Sequence, residues 1–195
     1  MSEASGAEFV DALQAVAGLL ADLTLPSMII GGVAVIAHGV PRSTVDIDAT
    51  ILARDIPPEK ILAAADRRDL RSRIDDAAQF ARAHQVLLLR HEPSGIPVDV
   101  ILAWLPFEQA ALEASVEVEF QGVHTRVARP EDLIIYKLVA ARPRDLDDAE
   151  ALLIAHGAEI DVARLRRVIG EFAEALEDPG RIAVLETLLA RAGRA

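Results

Sequence analysis

Ahead of Arg129-Pro130, runs of alternating apolar residues are interleaved with runs at helical spacing; beyond it only the helical spacing remains. This change of period constrains the fold more than any other property of the chain. Strands gathered in one part must share a sheet that helices cover, while the remainder packs helix on helix. The expected class is α+β, with a mixed β-sheet core flanked by helices over residues 1–128 and a C-terminal helical bundle over 129–195 packed on it. Apolar spacing predicts a helix over 7–23, and "SMII" reads as a short buried strand. Residues 33–38 read as a short helix entered through Gly31-Gly32 and closed by Gly39 and Pro41. "STVDIDATIL" has the period of a strand, and Pro57-Pro58 and "IDDAAQFARAH" each mark a helix. "QVLLLRHE" and "IPVDVILAWL", joined by "PSG", predict a hairpin, and "VEVEF" and "HTRVA" around Gln121-Gly122 predict a second. Trp104 and Phe107 are expected to pack under that second hairpin.

Composition removes several classes of partner. The 31 acidic and 20 basic side chains give a formal charge of -11, so the overall field does not draw the chain to polyphosphate and any nucleic-acid contact has to be local. Cysteine is absent, which excludes disulfides and thiolate-held zinc and fits a reducing compartment. The start "MSEASGAEFVDALQ" lacks a basic segment followed by an apolar one, and no apolar run has the roughly 18–20 residues of a membrane span. The expected setting is the cytoplasm, without membrane contact.

The chemistry concentrates in "MIIGGVAVIAHGVPRSTVDIDATI". On an extended segment Asp46 and Asp48 project from one face about 6.6 Å apart, close enough to share a divalent ion and otherwise a repelling pair on a mostly buried strand. Oxygen ligands without cysteine favour Mg2+ or Mn2+ over zinc. Asp99, flanked by strand formers in "IPVDVIL", joins the pair if its strand is the neighbour, at about 4.8 Å. Gly31 and Gly32 lead from a strand into a helix N-terminus, a place suited to phosphate. Arg42, Ser43 and Thr44 add a guanidinium and hydroxyls for phosphate oxygens. A nucleoside triphosphate is therefore expected between the glycine turn and the acidic strand.

A glycine pair, thirteen intervening residues, Asp-x-Asp and a lone aspartate on a later strand together resemble the DNA polymerase β-like nucleotidyltransferase superfamily. With "PVDVIL" and "RPEDLIIYKLVAARPRDLDDAEALL", residues 25–155 look like the minimal nucleotidyltransferases that include the AbiEii-like abortive-infection toxins. The resemblance implies a nucleotidyltransferase-like sheet, with Asp46 and Asp48 as metal ligands and Asp99 as the third carboxylate, aligning the acceptor hydroxyl. It also implies that Gly31 and Gly32 contact the triphosphate and that Lys137, Arg142, Asp145 and Asp148 line the nucleotide side. A serine often holds the second position of the turn, where this chain has Gly32. The implied activity is metal-dependent transfer of a nucleoside monophosphate from NTP to a hydroxyl of RNA, tRNA, protein or a small molecule. For a toxin-type member, an antitoxin is the expected partner.

Plainer readings stand beside these. Asp145, Asp147 and Asp148 suit the acidic start of a helix, and a single lysine such as Lys137 usually lies on a solvated helix face. The five histidines lack ligand spacing, and "RLRR" at 164–167 reads as a solvated face rather than an RNA patch. The competing functions are an inactive nucleotidyltransferase-fold module that senses nucleotide or binds protein, and a hydrolase sharing only the acidic site.

Overall fold

The computed structural model describes residues 3–194. The chain divides into two compact units, one formed by residues up to Val33 with Ser43–Ala128, the other by Ala34–Arg42 with the residues from Arg129 onward.

The first unit contains α1 (Glu3–Leu23), β1 (Ser27–Ile30), β2 (Ile47–Ile51), α3 (Pro58–Asp66), β3 (Leu70–Ser72), α4 (Ala77–His84), β4 (Val86–His91), β5 (Pro97–Leu102), α5 (Pro106–Ala114), β6 (Val116–Phe120) and β7 (Val123–Val127). α2 (Gly31–Ala37) begins at the glycine pair itself. Its seven strands form one mixed sheet in the order β3-β4-β5-β2-β1-β7-β6. Both expected hairpins, β4–β5 and β6–β7, are antiparallel. β2 lies antiparallel to β1 and parallel to β5.

The two-residue period explains which face is sealed. Ile47, Ala49 and Ile51 of β2, Leu87 and Leu89 of β4, and Val98 and Val100 of β5 are all wholly buried, while Leu88, Asp48 and Asp99, on the opposite face, are half-buried. α1 packs against α3 and β7 and buries Leu13, Val16 and Leu19 completely, each contributing about 1.5–3 kcal/mol of apolar burial.

α5 was not expected, and it changes the place of Trp104. Pro106 opens the helix, and the buried Glu108 accepts the backbone N–H groups of Trp104 and Leu105, both at 2.9 Å. That cap fixes the turn so that Trp104 is 63% exposed rather than packed under the second hairpin.

The second unit contains α6 (Pro130–Ala140), α7 (Pro143–His156), α8 (Val162–Ala175) and α9 (Gly180–Arg191). Leu133, Ile134, Ile135 and Leu138 of α6 are buried, and α6 packs with α7, α8 and α9. Asp132 is fully buried and is held by Arg129 and Arg164. Arg164, the first residue of "RLRR", is therefore an anchor, whereas Arg166 and Arg167 lie on the surface paired with Glu186 and Glu171. Among the described residues, no helix is long and apolar enough to cross a membrane.

Candidate active site

Asp48 and Asp99 are register partners on the adjacent parallel strands β2 and β5. Parallel strands in register turn matching side chains to the same face, so the two carboxylates share the half-open side of the sheet. Asp46 does not belong to the strand, which begins only at Ile47. The buried hydroxyl of Thr44 donates to the Asp46 carboxylate at 2.9 Å, holding residues 44–46 in a turn that leaves Asp46 exposed and Val45 71% exposed. The expectation of one strand carrying both Asp46 and Asp48 is corrected on that account: the local side-chain hydrogen bond replaces the ladder. Burial is the largest influence on the Asp99 carboxyl and pushes it above its usual value; the Arg73 guanidinium pulls it down, and the charge of Asp46 pushes it up again.

Gly31 explains the first glycine of the motif. Its φ is +62°, and a Cβ placed there would lie 1.9 Å from Oδ2 of Asp48. The Asp48 carboxylate thus rests against backbone that only glycine exposes. Gly31→Ala is expected to cost at least about 1–2 kcal/mol from the left-handed backbone alone, with Asp48 displaced as well. A thermal unfolding midpoint equal to wild type would refute this account. Gly32 is buried and Ser43 exposed.

Asp46 takes the Thr44 hydroxyl, Asp48 lies on Gly31, and Asp99 accepts a hydrogen bond from Arg73. Among the described residues, no three His, Cys, Asp or Glu side chains converge as a ready ligand set. Asp48 and Asp99 nevertheless suit a hard divalent cation by their all-oxygen donors, shared face and matched register, and Asp46 is near enough for its charge to act on Asp99.

Arg42, Lys137, Arg142 and Asp145 belong to the helical unit, where they form a second charged cluster with Asp148. Lys137 is 7% exposed, and its Nζ lies 2.9 Å from both Asp145 Oδ1 and Asp148 Oδ2. Arg42 pairs with Asp148, and Arg142 with Asp145. Lys137 is thus not a solvated helix lysine. Nor does Asp145 cap α7, whose N-cap is Arg142; its carboxylate is spent on Lys137 and Arg142. Burial pushes the Asp145 carboxyl up, yet the hydrogen bonds from Arg142 and Lys137 outweigh it and hold the group below the usual carboxylate range. The Arg42–Asp148 pair joins residues 106 apart, beyond any local pattern. Arg73, outside every motif, gave no sequence signal either.

Residues 102–183 match the family model described as "Nucleotidyltransferase of unknown function" (DUF6036). The antibiotic-resistance factor ANT(2'')-Ia, in its solution structure, is similar at a TM-score of 0.62 and 19% identity, covering 89% of this chain and 96% of that one. A crystal structure of the same factor in complex with adenylyl-2''-tobramycin gives 0.57 and 17%, over 85% and 96%. An antigenic nucleotidyltransferase-like protein from Paracoccidioides brasiliensis gives 0.54 and 16%, over 90% and 91%. No curated protein sequence matches the chain closely enough to count as a relative. The chain shares the α+β fold of these nucleotidyltransferase structures.

Proposed function

We propose that the chain transfers a nucleoside monophosphate from NTP to an acceptor hydroxyl and releases pyrophosphate. The observation that carries this reading is the pairing of Asp48 with Asp99 across two parallel strands, with the Asp48 carboxylate seated on Gly31. Asp46, Asp48 and Asp99 would hold Mg2+ or Mn2+, which when bound neutralises phosphate charge and polarises the phosphoryl oxygens. Asp99 aligns the acceptor hydroxyl and takes its proton as the new oxygen–phosphorus bond forms at the α-phosphate and the bond to pyrophosphate breaks. Gly31 and Gly32 let the triphosphate approach the backbone, with Arg42, Ser43 and Thr44 alongside. The resemblance further assigns Arg142 of the helical cluster, whose side chain is 75% exposed, to the nucleotide. Lys137 and Asp145 hold the arginine in position.

The acceptor is a hydroxyl of RNA or tRNA, protein or a small molecule. ANT(2'')-Ia supplies a precedent within the fold through its complex with adenylyl-2''-tobramycin. The AbiEii-like resemblance adds a toxin role with an antitoxin partner. The test is Mg2+-dependent pyrophosphate release from each NTP, with cell lysate as the acceptor source. Pyrophosphate is the expected product. Nucleotide binding without release would instead favour the sensing module, and inorganic phosphate in its place a hydrolase.

A further inference from the structure

Arg73 follows β3 directly, and its backbone N–H donates to the Leu88 carbonyl at 2.8 Å, continuing the ladder that pairs Ser72 with Leu89. Leu88 is the register partner of Asp99, and Asp99 of Asp48. Arg73, Leu88, Asp99 and Asp48 therefore make one transverse row across four strands. Along that row the Arg73 guanidinium spans β4 to reach the Asp99 carboxylate. The nearby arginines Arg71 and Arg90 are held by Asp66 and Glu92. Arg73 alone of the three is turned toward the acidic pair.

We propose that Arg73 is the resting counter-ion of this site: it occupies Asp99 in competition with a divalent cation and releases it when the cation binds. The proposal rests on the nucleotidyltransferase reading above. Two features support it. The half-open face carries the Asp48 and Asp99 carboxylates with Asp46 close by, and a tethered guanidinium offsets part of that acidic charge. The pair is also exchangeable, since its side chains are 32% and 39% exposed, against 9% and 4% for Lys137 and Asp145. An ion pair that open to water is weakly held and yields to a divalent ion, whereas a buried pair does not.

Mn2+ titrated into metal-free protein, with free Mn2+ followed by electron paramagnetic resonance, tests this without turnover. Arg73→Gln is expected to bind Mn2+ about threefold to tenfold tighter than wild type, and Arg73→Lys, which keeps the charge, to lie between them. Asp99→Asn should weaken Mn2+ binding and erase the gain from Arg73→Gln in the double variant. Wild-type binding left unchanged or weakened by Arg73→Gln overturns this inference alone. Absence of binding in both wild type and Arg73→Gln overturns the nucleotidyltransferase reading and the inference together.

Discussion

Lys137→Met lowers the free energy of unfolding by about 3–5 kcal/mol, the usual consequence of removing one partner from a buried ion pair. Lys137 neutralises Asp145 and Asp148, which are 3% and 5% exposed and lie three residues apart on α7. Methionine keeps most of the volume and none of the charge, so two carboxylates remain side by side in a poorly solvated site, answered among the described residues by Arg142 and Arg42. The thermal midpoint should fall on the order of 10 °C. Adding Asp148→Asn should restore part of the loss, because it removes one of the repelling charges. A midpoint within about 2 °C of wild type would dismiss the cluster as a stabilising element.

The pH dependence follows the same chemistry. The folded Asp145 carboxyl lies below its unfolded value, so on acidification the unfolded chain takes up the proton first. Its contribution is complete above the ordinary aspartate value of about 3.9 and is lost as pH falls through the folded value. Lys137→Met should flatten that acid limb in a pH series of melts.

Asp48→Asn is expected to reduce pyrophosphate release about a thousandfold, since cation-borne charge stabilisation is worth several kcal/mol and each 1.36 kcal/mol is a tenfold change in rate. Asparagine has the shape of aspartate and can still rest on Gly31, so the melting curve should barely move. That separates loss of chemistry from loss of fold. Single-turnover release with the best NTP and acceptor pair is the measurement, and a variant retaining more than about a tenth of the wild-type rate would remove Asp48 from the catalytic role.

The hairpins were legible because "QVLLLRHE" and "IPVDVILAWL" alternate over enough residues to show a period, with turn chemistry between them. The same alternation placed Asp99 on a strand, and the parallel pairing of β5 with β2 brings it beside Asp48. β3 spans three residues, too few for any period, so neither the strand nor the row that carries Arg73 was visible. Asp46 lies off the strand that its alternation suggests because the Thr44 hydroxyl decides the backbone there. The burial of Lys137 was hidden for another reason: its partners come from the next helix and, through Asp148, from Arg42, and a linear pattern carries no record of such meetings.

The sheet ends at β3 on one side and β6 on the other. Open borders of this kind invite strand addition from another molecule. Here the first border is only three residues long and carries Arg71, while the second reads Val-Glu-Val-Glu-Phe, with Glu117 and Glu119 in exposed positions. A strand docking on either side would have to desolvate charge for few new backbone bonds, so the sheet resists fibril-like growth through features of its own margins.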